Sequence, residues 1–354
     1  MLSSTPQKNF VLRNNDLGDV LVSTPLISGL RLAFPNSQVC VGVGDWAKPL
    51  LTGNPNIDEI ISCNAPWHNK QNCRFPGNSP KTFLEGLYYV LFSKEAKYIA
   101  RKKFTHGFDV LGSRQGSWLM LRAGIQHRFG VRGYAGGDNW CEKYVKFDEN
   151  RKVAEAAITF LKLIGASEKI EPRPQIFLNQ KEKEEAKKLW GIRTSSKKRI
   201  VIAPGGGFPE KCWGDEKFTE LIKLLNKDEK YQIFILGSVE DKSRIKIPGN
   251  TNKEFKNLCG ELSLRQSAAI ISESDFVITN SSLSMHLAGA FKIPSLTLLG
   301  DWYDSANLHH KQWGYPEGMV SGKEVAEGTL QLPTPIMAKE MFNKSAIENN
   351  LILS

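Results

Sequence analysis

Short apolar runs alternate with longer amphipathic stretches along most of this chain. Runs typical of buried strands cover residues 10–12, 38–43, 57–61, 108–112, 199–203, 232–236, 276–279 and 295–299. Stretches with helical periodicity cover residues 181–190, 215–227, 263–273, 284–290 and 336–348. Repeated strand–helix alternation predicts an α/β protein with parallel, doubly wound sheets.

The alternation stops and restarts once, where the composition changes between residues 150 and 200. We therefore predict Rossmann-like domains over 1–175 and 176–335, and a C-terminal helix over 336–354 that can pack back on the first domain. Ligands of open α/β sheets bind at the carboxyl ends of the strands. With two facing sheets, the expected site is the cleft between the domains.

Composition narrows the class of protein. The 354 residues include 41% hydrophobic and 24% charged residues, which is typical of a globular chain and not of a disordered one. No run approaches the roughly 18 apolar residues of a membrane span, and no apolar signal segment is visible near residue 1. The six cysteines lack paired spacing, so Cys63 and Cys73 are expected to be free thiols in a reducing cytoplasm.

The net charge of +10 leaves three classes of partner open: nucleic acid, an anionic membrane surface, or a phosphorylated small molecule. Several familiar signatures are missing: the sequence has no phosphate loop with Gly-Lys-Ser/Thr, no Gly-x-Ser-x-Gly elbow, and no Asp-x-Asp or His-x-x-x-His pair. Residues 42–47 match Gly-x-Gly-x-x-Ala, but they follow the second strand of their half, so we treat the match as chance.

The first cluster with possible chemistry is Gly18-Asp19, after the first strand. It reads either as a turn glycine with a helix-favouring acid, or as a carboxylate that accepts a proton from a hydroxyl group. Pro25 leaves the start of the next helix open, since the helix can begin after Thr24 or near Asp19 with a kink.

The second cluster is Pro204-Gly-Gly-Gly-Phe-Pro-Glu-Lys211-Cys-Trp213, directly after the first strand of the second half. Its glycines leave backbone N–H groups open to an anion, and Lys211 can meet a phosphate. An ordinary strand-to-helix loop with a surface lysine is the alternative.

The third cluster runs from Ile278 to Ala290, where a strand leads through Asn280, Ser281 and Ser282 into a helix that carries His286. Such a helix start offers N–H groups to a phosphate. A plain helix cap with a structural histidine is the alternative.

The fourth cluster is a stretch from Lys81 to Phe104, where Lys94, Lys97 and Arg101 alternate with apolar residues. One interpretation of this alternation is a helix with one solvated face and one face in the core. The other is a basic amphipathic element that meets a membrane or an anionic acceptor.

Taken in order, these clusters resemble glycosyltransferase family 9, the ADP-heptose heptosyltransferases of the lipopolysaccharide inner core. The similarity runs through residues 11–26, 34–37 and 54–60 in the first half, and through residues 204–213, 258–264 and 280–290 in the second. The resemblance implies a GT-B fold and an inverting transfer that needs no metal or other cofactor.

The resemblance also implies roles for individual residues. Asp19, after Gly18, matches the proposed general base, and Lys211 matches the lysine near the donor diphosphate. Further positions match the donor pocket (Gly206, Gly207, Glu240 or Asp241, Leu262, Asn280, Ser281, Ser282 and His286). Gly18, Lys94, Lys97 and Arg101 are expected on the acceptor side.

One departure concerns the donor. Where the family usually has Asn-Asp-Ser/Thr-Gly, this chain has Asn280-Ser281-Ser282-Leu283, so an acid and a glycine are replaced by Ser281 and Leu283. Ser281 can form a hydrogen bond but carries no charge, and Leu283 resists positive φ. The departure is compatible with another nucleotide sugar or with weakened activity.

The leading hypothesis is therefore a cytoplasmic glycosyltransferase, peripheral to the inner membrane and monomeric. It moves heptose from ADP-heptose to an anionic, lipid-linked saccharide of the lipopolysaccharide inner core. The alternatives are a GT-B enzyme that uses or epimerises another nucleotide sugar, and a GT-B protein that only binds one. Dispersed basic residues and the absence of a known motif argue against nucleic acid as a partner.

Overall fold

A computed structural model describes residues 7–76, 79–166, 170–194, 197–245 and 254–351. The chain divides into two compact units, Met1–Phe177 and Leu178–Ser354. Each unit contains one parallel six-stranded sheet covered by helices on both faces.

The sheet of the first unit has the order β3-β2-β1-β4-β5-β6. Its strands are β1 (Lys8–Leu12), β2 (Gln38–Val43), β3 (Glu59–Ser62), β4 (His106–Asp109), β5 (His127–Arg132) and β6 (Lys143–Lys146). The central strand β1 lies between β2 and β4, so that Leu12 pairs with both Gly42 and Asp109. These pairings bring the loops after β1 and β4 to the same edge of the sheet.

Nine α-helices are described up to residue 190, eight in the first unit and one in the second. They are α1 (Leu17–Val22), α2 (Thr24–Ala33), α3 (Lys48–Leu51), α4 (Pro80–Phe92), α5 (Lys94–Lys102), α6 (Arg114–Arg122), α7 (Val153–Ile158), α8 (Phe160–Leu163) and α9 (Gln180–Trp190), the last of which begins the second unit. The ambiguity at Pro25 is resolved by two short helices: α1 ends before Ser23, and Pro25 stands in the first turn of α2.

Side chains of β1 alternate between two cores, because both faces of a parallel sheet are buried. Phe10 and Leu12 belong to one cluster, with Trp67. Val11 belongs to the other, with Phe108. The apolar run 10–12 therefore predicts a buried strand correctly.

The second unit repeats this topology with the order β12-β11-β10-β7-β8-β9. Its strands are β7 (Lys198–Ala203), β8 (Tyr231–Ile235), β9 (Phe255–Asn257), β10 (Phe276–Thr279), β11 (Ser295–Leu298) and β12 (Gly318–Ser321). The remaining helices are α10 (Asp215–Asn226), α11 (Val239–Arg244), α12 (Leu264–Ser272), α13 (Leu283–Phe291), α14 (Ala306–Trp313) and α15 (Pro335–Glu348).

The C-terminal helix α15 belongs to the second unit. It supplies Ala338, Phe342 and Ala346 to the same buried cluster as strands β7, β8 and β10. The Phe342 ring packs edge to face on Phe276, with 4.9 Å between ring centroids. This packing fixes the helix against the second sheet.

Eight strands match runs predicted from the sequence, as do five helices of the second unit (α9, α10, α12, α13 and α15). Four strands (β5, β6, β9 and β12) and the helices α11 and α14 were not predicted. Strand β6 shows why, because its sequence is Lys-Tyr-Val-Lys and only Val145 is buried. Among the described residues, no helix combines the length and apolar character needed to span a membrane.

Candidate functional site

The carboxyl edge of the first sheet holds an ion pair between Arg13 and Asp19. Arg13 follows β1, and its side chain is only 8% exposed. One of its terminal nitrogens donates to Asp19 Oδ1 at 2.9 Å, and its Nε donates to the Asp19 backbone carbonyl. Among the described residues, nothing donates to Asp19 Oδ2, and the side chain is 30% exposed. Asp19 is thus oriented through one oxygen while the other remains open.

The loop that carries this pair is held by the segment around Trp67. Asn14 and Asn15 donate to the backbone carbonyls of Trp67 and His68, at 3.1 and 2.8 Å. The indole of Trp46 donates to the carbonyl of Asn15. These bonds fix the strand-to-helix turn, so that Gly18 and Asp19, both half-buried, start α1 in a defined position.

A second carboxylate, Asp109, lies at the end of β4, next to β1 in the sheet. It is buried and accepts from the backbone N–H groups of Gly112 and Ser113. Burial raises the pKa of Asp109 to about 6, although these hydrogen bonds and the nearby Arg13 act in the opposite direction.

Three of the four expected acceptor-side residues lie together, beside the edge strand β3, whereas Gly18 lies next to Asp19 in α1. Lys94, Lys97 and Arg101 project from α5 and line a depression of about 640 Å³. All three are exposed. The lining of the depression also includes Lys48, Tyr98 and the carboxylates of Glu59 and Glu95. Asp19 is not among the residues that line the depression. The structure therefore gathers these three cations in one place, and that place is distinct from the Arg13–Asp19 pair.

In the second unit, the glycine loop after β7 packs closely at its first positions and opens after them. A Cβ on Gly205 would lie 2.4 Å from an oxygen of Asp241, and one on Gly206 would lie 2.6 Å from Cys212 Sγ. Gly206 and Gly207 are exposed. The loop thus lies against the protein on one side and presents backbone to solvent on the other.

Lys211 ends this loop, and its ammonium group is held by aromatic rings. Its Nζ lies 5.1 Å from the ring centroid of Phe208 and 5.3 Å from that of Trp302. No described carboxylate lies within ion-pair distance of it. Rings of this kind orient a cation without neutralising it, which leaves its charge available to an anion.

Asn280 ties the loop after β10 to the glycine loop. The side chain is fully buried; its oxygen accepts from the Trp213 backbone N–H at 2.9 Å, and its amide nitrogen donates to the Pro204 carbonyl. Both ends of the amide are therefore used inside the protein. Asn280 thus joins the loop after β10 to the glycine loop.

Ser281 and Ser282 follow, and Ser281 has an unexpected partner. Its hydroxyl lies 2.7 Å from Nε2 of His309 on α14, and Ser282 Oγ lies 3.1 Å from the hydroxyl of Thr279. The Tyr303 ring packs edge to face on His309, with 4.9 Å between centroids. Burial lowers the pKa of His309 to about 3, with added effects of His286, His310 and Lys211, so the imidazole is neutral near pH 7.

The other expected donor residues occupy separate places on the same unit. His286 is buried, and its Nδ1 lies 2.8 Å from the hydroxyl of Tyr315. Glu240 is exposed in the first turn of α11, whereas the neighbouring Asp241 is buried and bonded to Ser238. Leu262 is half-buried after β9.

Sequence reasoning did not single out Arg13, His309 or Trp302. Arg13 stands six residues before Asp19 and His309 stands 28 after Ser281, so neither pairing has a short-range signal. Within the described ranges, no three His, Cys, Asp or Glu side chains group closely enough to hold a metal ion.

Comparisons with known proteins agree with the resemblance. The profile of glycosyltransferase family 9 (heptosyltransferase) matches residues 93–309. A lipopolysaccharide heptosyltransferase 2 from Escherichia coli K12 is 25% identical over 314 residues, which are 83% of this chain and 82% of the relative. A lipopolysaccharide core heptosyltransferase from Haemophilus influenzae is 22% identical over 307 residues, 84% of this chain and 80% of that protein.

Solved structures share the fold. The E. coli ADP-heptose heptosyltransferase II superposes with a TM-score of 0.72 at 23% identity, covering 97% of this chain and 100% of that one. A family 9 glycosyltransferase from Veillonella parvula superposes with a TM-score of 0.72 at 19% sequence identity. The match covers 97% of this chain and 98% of that one. Together with the two parallel sheets, these neighbours confirm the GT-B class. Because the family profile spans more than half of the sequence, from α5 to α14, the chain belongs to glycosyltransferase family 9 and is a glycosyltransferase.

Proposed function

We propose that the protein transfers heptose from ADP-heptose to an anionic, lipid-linked acceptor of the lipopolysaccharide inner core, as a monomer at the cytoplasmic side of the inner membrane. The relatives named above, which act in lipopolysaccharide synthesis by name, support the substrate class. The observation that carries the proposal is the uncompensated Lys211 ammonium beside an open glycine loop at the end of a parallel strand.

The second unit would hold the donor. Its diphosphate would meet Lys211 and the backbone N–H groups near Gly206 and Gly207, which suit an anion. Leu262, in the loop after β9, would serve the adenine, and Glu240, in the first turn of α11 after β8, would serve the ribose. Ser281 would form a hydrogen bond to the donor through its hydroxyl. Ser282 and the first turn of α13 would face the phosphates. The buried Asn280 and His286 would hold this part of the unit in shape from inside.

The first unit would supply the base. The acceptor hydroxyl attacks the anomeric carbon as its proton passes to Asp19 Oδ2, and the bond from that carbon to the diphosphate oxygen breaks. ADP leaves with its negative charge near Lys211. A single displacement of this kind inverts the anomeric configuration and uses no metal ion. Arg13 would keep Asp19 in place, because it grips both the carboxylate and the backbone of that residue.

Lys94, Lys97 and Arg101 would hold negative groups of the acceptor. Their depression of about 640 Å³ is large enough for a charged sugar, and cations suit phosphate or carboxylate substituents. Its separation from Asp19 would let a long acceptor contact α5 with one part and Asp19 with another.

The direct test is release of ADP from ADP-heptose in the presence of a lipid A–Kdo acceptor, with the product identified by mass spectrometry. We expect ADP and a heptosylated acceptor to appear in equal amounts. ADP release that does not depend on the acceptor, or a changed donor without transfer, would contradict the proposal. The latter result would favour epimerisation, a reaction known for a fold neighbour named UDP-GlcNAc 2-epimerase, which has a TM-score of 0.51 at 11% identity.

Ser281 motivates a test of the donor nucleotide. An uncharged hydroxyl that is already paired with His309 stands where the family usually has an acid. We expect ADP to raise the melting temperature more than UDP or GDP at equal concentration, because a ligand that binds the folded state stabilises it by mass action. A larger shift with UDP or GDP would exclude ADP-heptose as the preferred donor.

A further inference from the structure

Helix α4 is apolar on two opposite sides. Its inner side, which includes Tyr89 and Val90, is buried in the first unit. Its outer side carries Leu84, Tyr88, Leu91 and Phe92, which we call the apolar stripe and which are 60%, 68%, 39% and 57% exposed. A surface helix normally turns polar residues to the solvent. Packing of the fold does not account for the apolar stripe.

The apolar stripe continues into a groove. Leu91 also lines an apolar groove of about 410 Å³ next to α6. The other residues of the groove are Leu87, Val90, Trp118, Leu121, Arg122 and Trp140. The rings of Trp118 and Trp140 pack edge to face, with 6.2 Å between centroids, and Trp140 is 43% exposed. A contiguous exposed apolar surface of this kind is typical of an interaction site.

Exposed cations without an ion-pair partner in the described part of the chain lie on the groove and directly follow the apolar stripe along the chain. Arg122 lies on the groove itself, and α5 begins two residues after Phe92 with Lys94, Lys97 and Arg101 on its exposed side. None of these four cations lies within 4 Å of a carboxylate among the described residues. Lys102 of the same helix is different, because it pairs with Glu59 at 2.6 Å. The exposed cations are thus available to an anionic partner.

We infer that the apolar stripe and groove dock on an anionic lipid bilayer. The apolar and aromatic side chains would enter the interface between headgroups and acyl chains, which aromatic residues favour. Arg122 would meet the headgroups, where each basic residue strengthens binding. The cations of α5, proposed above to hold the acceptor, would add to the attraction of the anionic surface. The inference rests on the proposed function, because the lipid-linked acceptor is what would bring the protein to a bilayer. Its test, however, involves no sugar transfer.

Charge complementarity favours a bilayer over a second copy of the chain. A symmetric dimer through this surface would bring Arg122 and the cations of α5 from both copies into one interface, and the added like charge opposes association. An anionic bilayer matches both the apolar and the charged part of the surface.

The test is flotation of the full chain with phosphatidylcholine vesicles, with and without phosphatidylglycerol. We expect binding to the anionic vesicles, and we expect Tyr88→Ser with Phe92→Ser to weaken it at least about tenfold. The matched control replaces Ile192 and Leu330 of the second unit, which are 94% and 64% exposed, by serine. Unchanged melting temperatures show that both variants fold.

The charged part of the surface is tested separately with Arg122→Gln. Loss of one basic residue near an anionic surface should weaken binding about fivefold at low salt. Lys188→Gln, which removes an exposed cation of the second unit, should not change it. Arg122 and Tyr88 are outside the proposed transfer machinery, so a failure of vesicle binding and a failure of heptose transfer are distinguishable.

Three results would overturn the inference. One is wild-type protein that does not float with anionic vesicles. Another is equal binding by the wild type and the Tyr88→Ser/Phe92→Ser variant. The third is a concentration-dependent dimer, seen by sedimentation, that this variant abolishes, because the surface would then be a contact between copies.

Discussion

The two units share one topology but place different chemistry at the same edge. β1 corresponds to β7 and β4 to β10 in the two strand orders. After these strands, the first unit carries charged side chains, namely Arg13, Asp19 and the buried Asp109. The second unit carries open glycines, the amide of Asn280 and a lysine held by aromatic rings.

The difference teaches that the fold alone does not set the chemistry of a carboxyl edge. Carboxylates suit the movement of a proton, whereas N–H groups and one cation suit a diphosphate. The proposed function divides the labour accordingly: the first unit would activate the acceptor and the second would hold the donor. The predictions below test this division, beginning with the largest expected effect.

Asp19→Asn should lower kcat by about 10²- to 10⁴-fold, since an amide cannot accept the proton. The measurement is acceptor-dependent release of ADP. Asp58→Asn is the matched control, because Asp58 also pairs with an arginine of the first unit, Arg31, at 2.7 Å. Wild-type turnover in the Asp19→Asn variant would contradict the assignment of Asp19 as the general base.

Lys211→Met should lower kcat by about 10²- to 10³-fold, because the charge that forms on the leaving diphosphate loses its counter-ion. Lys211→Arg should restore part of the rate. Lys217, which lies 6.0 Å from the Trp213 ring centroid, offers a control lysine near the same loop. If Lys217→Met lowered kcat as much as Lys211→Met, the effect would not be specific to the proposed leaving-group site.

Asn280→Ala should destabilise the protein by about 1–3 kcal/mol, because the Trp213 N–H and the Pro204 carbonyl would each lose a buried partner. Chemical unfolding measures this change. Ser282→Ala, at a half-buried position nearby, should cost less. Equal losses of stability would show that Asn280 is not the residue that joins the two loops.

The pH dependence of stability should have opposite signs at the two edges. The pKa of His309 falls from 6.5 to about 3 on folding, so the unfolded chain binds the extra proton and stability is lost as pH falls from 6.5 towards 3. The pKa of Asp109 rises from 3.8 to about 6, so stability is lost as pH rises from about 4 to 6.

Single variants separate these two contributions from all other titrating groups. Relative to wild type, His309→Phe should flatten the loss of stability below pH 6.5, and Asp109→Asn should flatten the loss between pH 4 and 6. Each slope approaches about 1.4 kcal/mol per pH unit at most. Parallel pH profiles of a variant and the wild type would contradict the assignment for that residue.

The sequence predicts the central parts of both sheets well because those strands are apolar on both faces. Strand β10 has the bounds predicted, 276–279, and all four of its residues are buried. Strand β9 was missed because Phe255-Lys256-Asn257 is short and not fully buried at any position. A run of apolar residues indicates a buried strand, so a half-exposed strand is difficult to predict from the sequence.

The sequence motifs located the candidate residues at the carboxyl edge of each sheet, but they did not reveal how these side chains are paired. The position of Asp19 after a strand could be read from the sequence, whereas its contact with Arg13 depends on the turn between them. Ser281 was expected to face a donor, and its pairing with His309 depends on where α14 packs. Contacts of this kind are set by tertiary structure and have no local pattern.

Calorimetric titration of ADP into the Asp19→Asn and Lys211→Met variants tests the division of labour most directly. The account predicts that the Asp19 variant binds ADP with the affinity of the wild type although its turnover is lost. The Lys211 variant should bind ADP about 10- to 100-fold more weakly, as expected for the loss of a bond to a charged group. Equal weakening of ADP binding in both variants would contradict the account.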